Sequence, residues 1–184
     1  MADLPDLSVT TLQGRTTTFG ELAAGRVTLV VNVASRCGYT PQYAGLESLH
    51  RELSGRGFAV IGFPSNQFGA QEPGTEAQIA EFCSATFGVT FPMSAKVDVN
   101  GPRRDAVWSV LTAAPLAAGE PGRDAELDRP SQPGDVEWNF EKFLVAPNGE
   151  VAARFRSQTE PDNPRLRAQI EALLAVDRTA VAGT

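Results

Sequence analysis

The chain has little of the chemistry that metal sites and most hydrolases need. Its 184 residues include two cysteines, Cys37 and Cys83, and one histidine, His50. A closed zinc site takes four Cys or His ligands, one more than the chain holds. A Ser-His-Asp triad would have to use His50, which the apolar spacing around it places mid-helix. The cysteines stand 46 positions apart, so they form no CxxC pair. Positive charge is also scarce. Sixteen Lys and Arg against 22 Asp and Glu leave a formal net charge of −6, with no basic block. A nucleic-acid surface needs clustered positive charge, so no nucleic-acid partner is expected. Long apolar runs are missing as well. The longest, VTLVV at 27–31, falls far short of the roughly 18 residues that suggest a spanning helix. The opening MADLPDLSVT lacks the basic and apolar regions of a secretory leader. A soluble, cytoplasmic protein without a transmembrane segment is expected.

What is present suits one folded domain over 1–184. Hydrophobic residues make up 42% and charged residues 21%, enough apolar content for a packed core. Seventeen glycines and 13 prolines predict many turns. Residues 9–20 are β-branched around Gly14 and suggest a small hairpin. Arg26 to Ser35 reads as a buried central strand. Thr40 and Pro41 then look like the cap and first position of a helix running to about Ser54. Leu46, Leu49 and Leu53 mark its apolar side, and Gly55 and Gly57 end it. Phe58 to Phe63 is a second apolar strand, completing a βαβ unit.

Pro64 to Gly74 is too rich in Gly, Pro and Asn to be regular. Thr75 and Gln78 form a capping box for a helix with Ile79, Phe82, Cys83 and Phe87 on one side. Met93 to Val99 suggests another strand. Arg104 to Leu111 suggests a helix with Trp108 in its core stripe. Residues 112–136 read as a surface excursion. Phe143–Val145 and Val151–Phe155 flank a Pro-Asn-Gly turn as a hairpin. Asn163 and Pro164 open a last helix whose Leu166, Ile170, Leu173 and Leu174 face inward. The order predicts an α/β, thioredoxin-like fold with an N-terminal β-hairpin and a middle insertion.

Cys37 follows the first central strand and precedes a helix start. Open α/β sheets place ligands at the carboxyl ends of their strands. Unpaired backbone N–H groups and a helix dipole at that point favour a thiolate, the reactive form of cysteine. Arg36 adds positive charge beside it. A small buried hydrophobe at a turn is the plain alternative. His50 is expected at a surface or boundary position. Lys142 lies close to a candidate motif without an assigned role.

Three blocks decide between the alternatives for Cys37. NVASRCGYT (32–40), GFPSNQFGAQEPG (62–74) and WNFEKFLV (138–145) resemble the glutathione peroxidase family, in that family's order. With FGVTFPM and DVNG the likeness covers about 7–174. The resemblance implies a peroxidase in which Cys37 holds the peroxidatic position. Gln71, Trp138 and Asn139 fall on the other active-site positions. Gln and Asn amides and the Trp indole offer N–H donors. Such donors steady the sulfur anion and the departing oxygen.

Cys83 matches the resolving position of the two-cysteine, thioredoxin-dependent branch. The resemblance therefore implies a Cys37–Cys83 disulfide re-reduced by thioredoxin, with hydrogen peroxide and organic hydroperoxides as substrates. Many relatives carry a cysteine where this chain has Ser65, so Cys83 is the one intramolecular partner left. A disulfide needs Cα atoms within about 7 Å, so the Cys83 helix is expected to unwind in part. The alternatives are a glutathione-dependent peroxidase and a peroxide sensor that passes its oxidation to another protein. No metal, haem, flavin or nicotinamide is implied. Trp108 and Trp138 are 30 positions apart. Tetrameric relatives carry a longer insertion there, so a monomer is expected.

Overall fold

A computed structural model describes residues 3–115 and 134–182, with side chains as far as 176. Strands β1 (Ser8–Thr10) and β2 (Thr16–Thr18) pair antiparallel with Val9 opposite Thr17. Gly14 supplies the left-handed turn between them, at φ 84°. A short helix α1 (Phe19–Ala23), not anticipated from the sequence, follows at once. Thr18 and Glu21 make its capping box, a T-x-x-E signal hidden in a β-branched run.

Strand β3 (Val27–Val33) is buried along its whole length, and helix α2 (Gln42–Leu53) carries the chain over to β4 (Phe58–Pro64). The two strands pair in parallel, Val27 opposite Phe58. Helix α3 (Glu76–Phe87) starts at the Thr75–Gln78 capping box and stops at left-handed Gly88. Helix α4 (Ala106–Ala113) is capped by Asp105, which accepts the Val107 N–H at 2.9 Å. Strands β5 (Lys142–Val145) and β6 (Val151–Phe155) form the second hairpin. Helix α5 (Pro164–Ala182) closes the chain, with Asn163 Oδ1 accepting the Arg165 N–H.

The main sheet has the order β4-β3-β5-β6, with β3 antiparallel to β5. This is the expected thioredoxin-like arrangement. Side chains alternate across the strands, so the sheet separates two cores. Leu29, Val31 and Val33 of β3 pack with Leu46, Leu49, Ile170 and Leu174. Val30 packs on the other face with Ile61, Phe63, Trp108 and Phe143. Trp108 is fully buried and meets Phe63 and Phe143 edge-on at 5.8 and 5.6 Å. His50 is half-buried, as a boundary residue should be, and its Nδ1 accepts the Val60 N–H at 3.2 Å.

Two expectations need correction. Thr40 does not cap α2, which begins two residues later behind Pro41 with no side-chain cap. Its hydroxyl is already engaged inside the Cys37 turn, as described below. Residues 93–99 form no regular strand. Met93 bridges Gly62 and Ser94 bridges Thr11. The Ala95 N–H then goes to Thr10 and the Val97 N–H to Pro64. A segment that alternates between two sheet edges has no continuous ladder, and Pro64 offers no N–H to extend one. Most of the expected 112–136 excursion lies outside the described residues; 112 and 113 belong to α4.

Candidate active site

The site begins where β3 ends. Ala34 to Thr40 fold back as a turn held by one hydroxyl. Thr40 Oγ1 accepts the Cys37 N–H at 2.9 Å and donates to the Ala34 carbonyl at 2.8 Å. The Thr40 N–H returns to the Cys37 carbonyl at 3.1 Å. Inside this loop the Tyr39 N–H donates to Cys37 Sγ at 3.3 Å. The sulfur thus takes a backbone donor from the turn itself, three residues before the first residue of α2. Cys37 is 8% exposed.

The second block is a tight loop after β4. Gly69 and Ala70 both adopt left-handed backbone, φ 64° and 51°. The turn brings the Gln71 N–H to the Phe68 carbonyl and turns the Gln71 carbonyl toward the first block. There it accepts the Arg36 N–H at 3.0 Å. Asn66 Oδ1 holds the next residue by accepting the Glu72 N–H at 2.9 Å.

The third block leads into β5. Asn139 is fully buried, and its Nδ2 donates to Gln71 Oε1 at 2.9 Å. Its Oδ1 is buried with no partner among the described residues, an acceptor that folding does not explain. Trp138 is 39% exposed, with its ring 5.8 Å from that of Phe68. Phe140 sits at φ 65°, a conformation that costs a bulky residue about 1–3 kcal/mol. The strain persists because Asn32, a polar residue in the apolar β3, grips the segment. Asn32 Nδ2 donates to the Trp138 carbonyl at 3.0 Å. Its carbonyl accepts the Phe140 N–H at 2.7 Å, and its Oδ1 accepts the Glu141 N–H at 2.9 Å.

Below this grip lies an ion pair. Glu141 and Arg154 pair with side chains only 2% exposed, and the Arg154 guanidinium lies 4.8 Å from the Phe143 ring centroid. Burial holds the Glu141 carboxyl above its usual range, while Arg154 pulls the other way. Asn32, Glu141 and Arg154 were not singled out from the sequence. The readable signal was Asn32, a lone polar residue in an apolar strand. Tyr39 and Trp138 line a shallow pocket of about 180 Å³ with Glu137, Glu141, Arg156 and Ser157.

The fold therefore joins all three blocks by hydrogen bonds: the first to the second through Arg36 and Gln71, the second to the third through Gln71 and Asn139, and the third to the first through Asn32. Cys83 is outside this triangle. It lies inside α3 and is 3% exposed; both cysteines are free thiols in the same apolar core. Burial pushes the Cys83 thiol up to about 11, and the Glu72 carboxylate adds to this. The Tyr43 hydroxyl beside it opposes the shift, without a well-formed hydrogen bond. Burial also raises Tyr43 and the Glu72 carboxyl. Among the described residues no three metal-ligating side chains gather, and no helix is long and apolar enough to cross a membrane.

Comparison with known proteins agrees with the three blocks. A family model described as glutathione peroxidase matches residues 4–112. Glutathione peroxidase-like peroxiredoxin 2 of Saccharomyces cerevisiae is 45% identical over 170 residues, 92% of this chain and 96% of its own. Thioredoxin/glutathione peroxidase BtuE of Escherichia coli is 44% identical over 171 residues, 89% of this chain and 93% of its own. The crystal structure of Trgpx in apo form superposes with a TM-score of 0.69 at 31% identity, covering 95% of this chain and 96% of that one.

Proposed function

The chain belongs to the glutathione peroxidase family, and on that footing we propose that Cys37 is the sulfur on which its peroxidase chemistry runs. It is a thiol peroxidase. The Cys37 thiolate attacks the distal oxygen of a hydroperoxide, and the O–O bond breaks. The departing oxygen takes a proton and leaves as water or an alcohol, and Cys37 becomes a sulfenic acid. Gln71, Asn139 and the Trp138 indole surround this step with polar groups. The hydrogen-bonded triangle carries the reading, because it ties the three motif blocks to the Cys37 turn through bonds of 2.7–3.0 Å.

Cys83 then attacks the Cys37 sulfur. An S–S bond forms and the hydroxyl leaves as water. A dithiol of the thioredoxin type reduces the disulfide, and the enzyme works as one domain on hydrogen peroxide and organic hydroperoxides. The bacterial relative named above, a thioredoxin/glutathione peroxidase, supports a thioredoxin-type reductant over glutathione alone. Cys83 is buried within α3, so resolution needs that helix to open locally. Steady-state hydroperoxide reduction by wild type and Cys83→Ser, with thioredoxin and separately with glutathione, tests the assignment. Thioredoxin-linked turnover should collapse in the variant. Thioredoxin-linked turnover that survives undiminished in Cys83→Ser would return the reading to the one-cysteine cycle of a glutathione-dependent peroxidase.

A further inference from the structure

Lys142 is fully buried in the middle of the sheet, on β5, with Val31 of β3 and Phe155 of β6 on either side. Its Nζ donates to the Phe140 carbonyl at 2.7 Å. The amine is costly to bury, since an apolar side chain of the same length would fill the space without desolvating a charge. That cost shows in the amine itself: burial lowers it to about 7, although Glu160 and Glu141 pull it back up. Packing alone does not account for an amine at this position.

Its one described hydrogen bond falls on the left-handed residue of the site. Phe140 has its N–H on Asn32 and its carbonyl on Lys142, so both polar groups of a strained peptide are held from β-strands. The two residues before it are Trp138 and Asn139. Releasing the Phe140 carbonyl leaves the φ 65° residue held by Asn32 alone, and that loosening would shift the Asn139 amide relative to Gln71 and the Trp138 ring.

We infer that Lys142 is a positioning residue for peroxide reduction, holding Trp138 and Asn139 in their working geometry through the Phe140 carbonyl. The inference rests on Cys37, Trp138 and Asn139 forming the reacting site. Lys142 touches neither substrate nor sulfur in this role. It acts through the backbone of the loop.

The test compares Lys142→Met, which keeps the apolar stem, with Lys142→Gln, which keeps an N–H donor. Asn139→Ala runs alongside. Three readouts are taken: the single-turnover rate of Cys37 oxidation by hydrogen peroxide, the rate of Cys37 alkylation by iodoacetamide, and acrylamide quenching of tryptophan emission. Quenching reports Trp138, since Trp108 is fully buried. Lys142→Met should slow peroxide oxidation about ten- to a hundredfold, leave alkylation within about twofold, and raise quenching. Lys142→Gln should keep clearly more of the peroxide rate. Equal peroxide rates in Lys142→Met and wild type, with Asn139→Ala slow, overturn the inference alone. Equal losses in the Met and Gln variants, or parallel loss of alkylation, reduce Lys142 to a packing residue. An Asn139→Ala variant as fast as wild type overturns the underlying site.

Discussion

The two cysteines occupy opposite kinds of environment within one core. Around Cys37 the chain is polar and over-determined: its N–H, its carbonyl and its sulfur all have partners within the same turn. Around Cys83 the surroundings are apolar, with Ile79 on the same helix side; burial raises its thiol, Tyr43 opposes that and Glu72 adds to it. One environment fixes its sulfur in a hydrogen-bonded turn. The other holds a buried sulfur inside α3, which the proposed cycle brings into use only when that helix opens. On the proposed cycle, the first oxidation depends on rigidity and the second on its local loss.

Removing Cys37 strikes the rigid half and should have the largest effect. Cys37→Ser is expected to lower hydroperoxide turnover by at least about a thousandfold with any thiol reductant. Residual turnover within tenfold of wild type in a coupled assay would break the comparison at its root. Next, Asn139→Ala deletes the amide that joins two of the three blocks. We expect the single-turnover oxidation of Cys37 to slow about a hundredfold, the scale of losing one oriented polar group at a reacting centre. Cys83→Ser should sharpen the contrast by separating the two steps. Thioredoxin-linked turnover is expected to fall about tenfold or more, while the first oxidation, followed by stopped flow, stays within about twofold.

Alkaline stability gives a smaller and signed test. Cys83 is raised in the folded protein from about 9 to about 11. The folded state therefore holds a proton that the unfolded chain releases. Its stabilising contribution is complete below about pH 9 and is lost as pH climbs toward about 11. Lys142 has the reverse sign, lowered from 10.5 to about 7, so stability should rise with pH from about 7 toward 10.5. Urea midpoints across pH 7–11 should lose the falling component in Cys83→Ser and the rising one in Lys142→Met.

The smallest effect concerns the fastening of α3. Glu47 of α2 accepts the Thr90 N–H at 2.8 Å and its hydroxyl at 2.7 Å, just past the end of α3, and pairs with Arg51 at 2.5 Å. Thr90→Val should remove about 1 kcal/mol of stability and quicken disulfide formation after a peroxide pulse. Slower disulfide formation in that variant would show that opening does not begin at this end.

Much of the architecture is legible in local patterns. The largely apolar runs of β3 and β4, the Thr75–Gln78 box and the spacing of Leu166, Ile170 and Leu174 each carry their own signal, because strand burial and helix capping are short-range effects. Thr40 misled for a physical reason. A threonine ahead of a proline reads as a cap, but its single hydroxyl was taken by the Cys37 turn. Helix α1 was missed because Thr16, Thr17 and Thr18 look like strand on both sides of their boundary. Residues 93–99 depart from the expected strand because their hydrogen bonds go to two different sheets, which no periodicity records.

The sequence by itself determined the family, the thioredoxin-like order of elements and the identity of the candidate residues, since motif blocks and periodicity are properties of neighbours along the chain. Only the tertiary structure decided that Gln71 and Asn139 share a hydrogen bond, that Asn32 grips the strained Phe140 segment, and that Lys142 and Cys83 are buried deeply enough to shift their proton equilibria. Those outcomes depend on groups far apart in sequence and on exclusion of water, and both arise only when the two faces of the sheet are closed.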